Sequence, residues 1–335
     1  MDETTPSPEM LPNETPVLEE EPRSGWIEEM RDAVAHAVVG MQEELRATLV
    51  AALAEGHCLL EGPPGVAKTL LVRSIAAALG GKYSRIQFTP DLMPSDVTGT
   101  GVYRPDKGQF EFKPGPIFAN VLLCDEINRA PAKTQAALLE AMQEGAVTID
   151  GQRHELPKPF LVFATQNPIE HEGTYPLPEA QLDRFLFKVL IGYPDEDVEA
   201  QLLHDVHARN ATASPAELGV RAVCSPEQLV DLASQARDVE VRADLPAYVV
   251  KLLTATRTHA ALQMGASPRA GVMLLRASKA LALAEGRNYI LPDDIKRVFL
   301  PALRHRVLLE PAEEVEGGTT DAVLHSILDS IEVPR

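Results

Sequence analysis

The chain has 335 residues, which is enough for two domains of ordinary size, and its 45% hydrophobic and 24% charged content is typical of a soluble globular protein. No apolar run reaches the ~18 residues of a membrane span, so we expect no membrane insertion. The N-terminus is acidic where a signal peptide would be basic, which favours a cytoplasmic location. The formal net charge of −18 makes a nucleic-acid partner unlikely, because the phosphate backbone rewards basic patches.

Residues 1–24 have an unusual composition. They include seven acidic residues, one basic residue and five prolines, with few apolar side chains. Such a segment cannot bury enough apolar surface to offset the entropy of ordering, so we predict a disordered tail. The composition is more typical of a solubilising tail than of a docking peptide.

Five short apolar runs alternate with helical patterns in residues 25–194. Runs that are hydrophobic throughout, and separated by stretches long enough for a helix, are typical of central strands in a parallel sheet covered on both faces. We therefore predict an α/β domain built on a parallel five-stranded sheet. The predicted strands are 58–60, 85–88, 121–124, 160–165 and 186–191.

Two β-hairpins are predicted to interrupt this layout, at 97–114 and 146–158. In the first, apolar and aromatic residues flank a turn that contains proline, aspartate and glycine. In the second, Asp150-Gly151 is a type I′ turn signal between two strand-like flanks. The hairpins carry basic residues within an acidic protein, namely Arg104, Lys107, Lys113 and Arg153.

The pattern changes after Pro194, where the strand signals end. Residues 195–224 are a mixed stretch that we interpret as a linker. Helical patterns follow over 225–335, where Ser225 is a suitable N-cap and Pro226 suits the first helical position. We predict a small all-helical second domain, a lid, with a C-terminal segment in this range.

The sequence "EGPPGVAKTLL" (61–71) is a candidate phosphate-binding loop, because it follows an apolar strand and begins a helix at 68–79. The backbone N–H groups of such a loop form an anion site, Lys68 supplies a mobile positive charge, and the Thr69 hydroxyl is a magnesium ligand. The predicted nucleotide-binding residues are Gly62, Pro63, Pro64, Gly65, Val66, Ala67, Lys68, Thr69 and Leu70.

Ala67 stands where the usual loop pattern has glycine. We expect the backbone at this position to be entering a right-handed helix, in which alanine is well tolerated. On this interpretation, Ala67→Gly leaves nucleotide affinity nearly unchanged, whereas Lys68→Ala abolishes it.

Acidic and amide side chains follow two other predicted strands. In "VLLCDEINRA", four apolar residues lead into Asp125 and Glu126, which places two carboxylates at the carboxyl end of a strand, where ligands of parallel sheets collect. Asp125 would hold Mg²⁺ and Glu126 would accept a proton from the attacking water. Asn167 ends the strand "FLVFATQNP", and Pro168 biases it towards an extended backbone, so its amide would project beyond the sheet.

The order of these motifs, followed by "EAQLDRF" (179–185) and "GASPRA" (265–270), resembles the AAA+ ATPases, and within them the MoxR family. The resemblance covers roughly residues 27–310. It implies that Val39 and Gly40 line the adenine pocket, and that the loop and the Asp125–Glu126 pair are the Walker A and Walker B motifs. It further implies that Asn167 is sensor 1, that Arg184 is an arginine finger reaching a neighbouring subunit, and that Arg269 is sensor 2.

An alternative for Arg184 is a surface salt bridge with Asp183 or Glu179, as most such arginines make. The sequence does not decide whether Arg269 acts on its own nucleotide or on that of a neighbour. In ring-shaped relatives both hairpins point towards the pore, so their basic residues would grip a partner there or would be solvated tips.

The resemblance implies an ATP hydrolase, using ATP and Mg²⁺, that works as a homo-hexameric ring. It also implies chaperone-like remodelling or activation of partner proteins, among them von Willebrand factor A domain proteins. A magnesium-chelatase-like motor subunit and a nucleic-acid-directed AAA+ motor are the alternatives, and the net charge disfavours the second.

Overall fold

A computed structural model describes residues 25–35, 37–168, 175–208 and 214–334 of the chain. The tail predicted for 1–24 lies outside the described residues. The elements up to residue 208 are α1 (Trp26–Ala35), α2 (Gln42–Leu53), β1 (Cys58–Glu61), α3 (Lys68–Leu79), β2 (Tyr83–Gln87), α4 (Pro94–Thr98), β3 (Gly99–Arg104), β4 (Gln109–Pro114), β5 (Val121–Asp125), α5 (Ala132–Glu144), β6 (Ala146–Ile149), β7 (Gln152–Glu155), β8 (Leu161–Gln166), α6 (Glu179–Leu182), β9 (Phe187–Leu190) and α7 (Glu196–Ala208).

The central sheet has five strands in the order β2-β5-β8-β1-β9, and every neighbouring pair is parallel. This confirms the predicted fold class and all five predicted strands. Because β5, β8 and β1 are consecutive in the sheet, the residues that follow them meet at one carboxyl edge. The candidate motifs follow these three strands.

The three central strands β5, β8 and β1 are buried on both faces, which explains why their sequences are mainly apolar. Successive side chains point to opposite faces. Leu59, Leu122 and Val162 therefore join one cluster with α5, whereas Leu60 and Leu123 join a second cluster with α1, α2, α3 and the helices beyond residue 214.

His57, at the start of β1, connects three elements of this core. Its Nδ1 accepts a hydrogen bond from the Val162 backbone N–H at 3.1 Å, and its Nε2–H donates to the Met142 carbonyl at 3.3 Å. Burial lowers the pKa of His57 to about 4, against the opposing effect of the Met142 carbonyl. The ring is therefore neutral near pH 7.

Both predicted hairpins are present, as β3–β4 and β6–β7. Tyr103 pairs with Phe110 across the first hairpin, and their exposed rings lie 5.3 Å apart. Phe112 of the same hairpin stacks on His154 of the second, with ring centroids 4.1 Å apart. The two hairpins are therefore in direct contact.

Three of the four basic residues of the hairpins, Arg104, Lys107 and Arg153, are partnered by carboxylates on the same hairpin. Arg104 Nε lies 3.0 Å from Glu111, and Arg153 Nε lies 2.8 Å from Glu155. The hairpins therefore do not present a cluster of unpaired cations, which weakens the expectation that they grip an anionic partner.

The remaining elements are α8 (Pro226–Asp238), α9 (Leu245–Thr258), β10 (Leu262–Met264), α10 (Pro268–Ala284), α11 (Pro292–Leu303), β11 (Leu308–Leu309), α12 (Pro311–Val315) and α13 (Thr320–Ser330). The predicted helical lid is confirmed. Ser225 caps α8 by accepting from the Gln228 N–H, and the Gln228 side chain accepts from the Ser225 N–H in return.

The lid is not entirely helical, however, which corrects the expectation that strands end at Pro194. β10 and β11 form a two-stranded antiparallel ribbon. These strands are too short for an alternating pattern to be visible in the sequence. The stretch interpreted as a linker also contains an element, helix α7.

The lid packs directly on the sheet domain. Helices α8 and α10 contact α2, and α11 contacts β9. Within the described ranges, no helix is both long enough and apolar enough to cross a bilayer.

Candidate nucleotide-binding and hydrolysis site

The candidate phosphate-binding loop connects β1 to α3, and α3 begins at Lys68 as predicted. Gly62 lies against β9, since a Cβ added there would be 2.1 Å from the Ile191 carbonyl oxygen. Gly65 has a φ of +85° and faces open space. The loop thus needs glycine at Gly62 for close packing and at Gly65 for its positive φ. Its open side leaves room for a phosphate group at the N-terminus of α3.

The backbone at Ala67 differs from the expectation. Ala67 has φ 58° and ψ 21°, which is the left-handed region, and it is not yet in the right-handed helix. The expectation that the backbone here is entering a right-handed helix was wrong, because the helix begins one residue later, at Lys68. A left-handed alanine is strained by about 1 kcal/mol or more, and glycine would relieve that strain.

Lys68 is folded back over its own loop. Its Nζ donates to the Gly62 carbonyl at 2.5 Å and to the Pro63 carbonyl at 3.0 Å. The ammonium group therefore lies above the loop, where it would meet the phosphates of a nucleotide.

Asp125, the last residue of β5, is only 6% exposed. Its Oδ2 lies 2.6 Å from Arg85 Nε, on the neighbouring strand β2, and its Oδ1 accepts from the Thr165 hydroxyl at 3.2 Å. Thr165 also accepts from the Glu126 N–H at 2.9 Å. Arg85 and Thr165 thus hold the carboxylate in one orientation.

Glu126 leaves the strand in a left-handed backbone conformation, with a φ of 56°. Its carboxylate has partners different from those of the Asp125 carboxylate. Glu126 Oε2 accepts from Gln87 Nε2 at 2.9 Å and lies 3.2 Å from Arg129 Nε. The group is partly exposed and faces the edge of the sheet, where a water molecule has access to it.

Asn167 follows β8 and is 7% exposed. The preceding carbonyl, of Gln166, accepts from the Gly62 N–H at 3.3 Å. This contact places the end of β8 beside the start of the phosphate-binding loop, so Asn167 lies at the same edge of the sheet as Asp125.

Gly40 has a φ of +80°, and a Cβ added there would lie 2.7 Å from Val198 Cγ1. The turn at Gly40 therefore packs tightly on helix α7. Val39, beside it, is partly buried. A small-residue turn against a helix is compatible with an adenine pocket.

Arg184 lies between α6 and β9 and is partly buried. Within the described residues Arg184 forms no salt bridge with Asp183 or Glu179, the two alternatives, and Asp183 is paired with two other arginines. Arg306 Nε lies 2.6 Å from Asp183 Oδ1, and Arg269 Nε lies 3.5 Å from Oδ2. The candidate sensor 2 and the candidate finger are therefore on the same part of the surface.

The donors at the candidate metal site suit Mg²⁺, a hard cation that binds oxygen and usually keeps part of its water shell. Thr69 offers a hydroxyl and Asp125 a carboxylate. No cluster of three or more His, Cys, Asp or Glu side chains suited to a metal occurs in the part of the chain that the structure describes. A site completed by nucleotide phosphates fits this sparse donor set.

Three contributors to the site were not predicted, namely Arg85, Thr165 and Arg306. Arg85 and Thr165 lie within predicted strands, and a polar residue in a buried strand is a usable signal. No comparable signal exists for Arg306, which contacts Asp183 across 123 positions of sequence.

The chain is similar to known proteins along most of its length. The family described as "ATPase family associated with various cellular activities (AAA)" matches residues 57–187, and "AAA lid domain" matches 254–327. The uncharacterized protein YeaC of Bacillus subtilis is 45% identical, over 90% of this chain and 94% of YeaC. Chaperone MoxR1 of Mycobacterium tuberculosis is 44% identical, over 90% of this chain and 81% of MoxR1.

One solved structure, of a proposed ATPase from Cytophaga hutchinsonii, superposes with a TM-score of 0.83 and 42% identity. The superposition covers 92% of this chain and 95% of that one. The similarity therefore includes the lid as well as the phosphate-binding loop.

Proposed function

This chain belongs to the MoxR family of AAA+ ATPases, and from that premise we propose that it hydrolyses ATP to ADP and phosphate at the subunit interfaces of a homo-hexameric ring. The observation that carries the proposal is the order of strands β5, β8 and β1. The Asp125–Glu126 pair, Asn167 and the phosphate-binding loop follow three adjacent strands and share one edge of the sheet.

Each residue at this edge has a role that its position supports. The loop N–H groups and Lys68 bind the phosphates, and Val39 and Gly40 border the base. Thr69 and Asp125 would hold Mg²⁺, which supplies positive charge to the phosphates when bound. Glu126, which is partly exposed, accepts the proton of the attacking water, and Asn167 orients that water.

Arg184 is the arginine finger in this proposal, and it acts on the nucleotide of the neighbouring subunit. Arg269 contacts Asp183, the residue before Arg184 in sequence. This contact places Arg269 on the same surface as Arg184. We therefore assign Arg269 to the neighbour's nucleotide as well. Each site then takes Glu126 from one subunit and both arginines from the next.

The hydrolysis cycle would drive remodelling of a protein client. MoxR1, a relative of this chain, is named a chaperone. The exposed pair Tyr103–Phe110 at the hairpin tip offers an apolar contact surface, and the paired charges beside it favour a protein over a nucleic acid. Von Willebrand factor A domain proteins are the partners that we propose to test first.

Two substitutions test the site. Glu126→Gln should retain ATP binding and lower turnover about 100-fold or more, because the proton acceptor is lost. Glu140→Gln, a matched change at an exposed position of α5, should behave as wild type. Measurements of ATP affinity and of phosphate release distinguish an effect on binding from an effect on hydrolysis. Unchanged turnover in Glu126→Gln would show that Glu126 is not the proton acceptor.

Arg184→Ala should lower turnover by about 10³-fold or more while leaving ATP affinity nearly intact. Arg221→Ala, at an exposed arginine outside the site, is the control. If Arg184→Ala and Arg221→Ala had equal turnover, Arg184 would not be the arginine finger.

A further inference from the structure

Arg306 follows helix α11 in the lid, and its side chain is 2% exposed. Four of the six contacts of its guanidinium group are to residues of the sheet domain, and the other two are to Ala302 and Met273 of the lid. Nε pairs with the Asp183 carboxylate at 2.6 Å, and one terminal nitrogen donates to the Asp183 and Phe185 carbonyls at 3.1 and 2.6 Å. The other terminal nitrogen donates to the Leu186 carbonyl at 3.1 Å and to the Ala302 carbonyl.

The carbonyls that Arg306 binds lie on both sides of Arg184. A guanidinium group has five N–H donors in a rigid plane, so a change of position would break several hydrogen bonds together. The neighbouring His305 adds a bond, since its Nε2–H donates to the Phe185 carbonyl at 3.0 Å. The backbone around Arg184 is therefore fixed to the lid at several points.

These contacts are costly to lose. Burial lowers the pKa of Arg306, and the Asp183 carboxylate opposes that effect, so the guanidinium stays charged. A buried charge without its partners is strongly unfavourable. The Arg306 guanidinium is too deeply buried for water to replace those partners. The residues 183–186 and the lid must then move together.

We propose that Arg306 is a positioning residue for Arg184, which ties the finger segment of the sheet domain to the lid of the same subunit. The position of the lid then sets how Arg184 lies in the neighbouring site. This inference rests on the proposed function, in which Arg184 acts in trans. A role in holding the lid in place would be the competing explanation.

The test uses Arg306→Gln in mixtures of full-length subunits. Arg306→Gln alone should lower kcat by about 100-fold, as expected for a catalytic group displaced by about 1 Å, with ATP affinity within about twofold of wild type. Arg304→Gln is the matched control, because Arg304 is another largely buried lid arginine, which contacts Asp321 and the Lys188 carbonyl and not the residues around Arg184. The control should keep a kcat near that of wild type.

Mixing then identifies which site is damaged. Arg306→Gln mixed with Glu126→Gln should regain turnover above the sum of the two alone, because Glu126→Gln subunits supply intact fingers to intact sites. Arg306→Gln mixed with Arg184→Ala should stay inactive, because every finger is defective. The opposite pattern, with recovery only beside Arg184→Ala, would show that Arg306 serves its own site and would overturn the proposal.

Arg306→Lys, which keeps the charge but loses the planar fork, replaces Arg306→Gln if the latter does not fold. Loss of folding and of ATP binding in both variants would assign Arg306 to lid stability alone and would also overturn the proposal. Mixing Arg184→Ala with Glu126→Gln tests the premise separately. If that mixture stays inactive while wild type turns over, the trans finger itself fails, and with it the proposed interface site.

Discussion

Two residues beside the candidate site, Ala67 and Glu126, have left-handed backbones although neither is glycine. Such conformations are costly and persist where the surroundings enforce them, often at functional sites. At Ala67 the chain turns just before Lys68, and at Glu126 it turns directly after strand β5. Strain at single residues is thus part of the local geometry at this edge of the sheet.

Ala67→Gly should stabilise the fold by about 1 kcal/mol, since glycine adopts the left-handed conformation without steric cost. ATP affinity should stay nearly unchanged, because glycine can adopt the same left-handed turn before Lys68. Ala47→Gly, in the middle of α2, is the control and should destabilise by about 1 kcal/mol. Thermal unfolding and ATP titration measure both effects, and destabilisation by Ala67→Gly would contradict the left-handed assignment.

At the scale of elements, His57 joins β1, β8 and the end of α5 as a neutral ring. A protonated ring would lose the bond that Nδ1 accepts from Val162. Because the folded-state pKa is about 4 and the unfolded value is near 6.5, the unfolded chain takes up the proton first as pH falls. The sheet is therefore sensitive to acid at one specific junction.

The free energy of unfolding should fall by an amount on the order of 3 kcal/mol from this group as pH drops from 6.5 to 4, and should not change above 6.5 on its account. His57→Gln, whose amide still donates and accepts, should show a smaller decrease over this window. His325→Gln, at an exposed position of α13, is the control. Denaturant titrations at each pH give the free energy of unfolding. If its pH dependence were the same in wild type and His57→Gln, His57 would not be the source of the acid sensitivity.

The sequence predicted those elements whose signals are local. Helix α3 begins at Lys68 as expected, because a buried strand, a glycine-containing loop and a helical run are adjacent in sequence. The ribbon β10–β11 was missed because its strands are very short and pair across the lid. The conformation of Ala67 was missed because loop closure overrides helix propensity, and Arg306 because its partners are distant in sequence.

At the scale of the whole molecule, each catalytic site of the proposed ring is completed by a second subunit. Glu126 and Lys68 lie with the phosphate-binding loop, whereas Arg269 and Arg306 meet at Asp183, beside Arg184. The lid is fixed to this second region by buried contacts. Subunit association, rather than closure within one chain, then completes the site.

Turnover per subunit should therefore rise with protein concentration and level off once the ring is assembled. In the proposed arrangement, the site of an isolated subunit has no Arg184 from a neighbour, and such a finger contributes about 10³ to 10⁵ in rate. Arg184→Ala should show no such rise. Sedimentation measured at the same concentrations checks assembly, and a turnover number that stays constant in dilute monomer would contradict the arrangement.

The ion pair between Arg85 and Asp125 has a consequence for the order in which ligands arrive. Asp125 is already neutralised by a guanidinium group 2.6 Å away, so it offers little attraction to a free divalent ion. The negative charge needed to hold such an ion comes with the triphosphate. We therefore predict that metal and nucleotide enter the proposed site together, and that the protein without nucleotide binds Mg²⁺ only weakly.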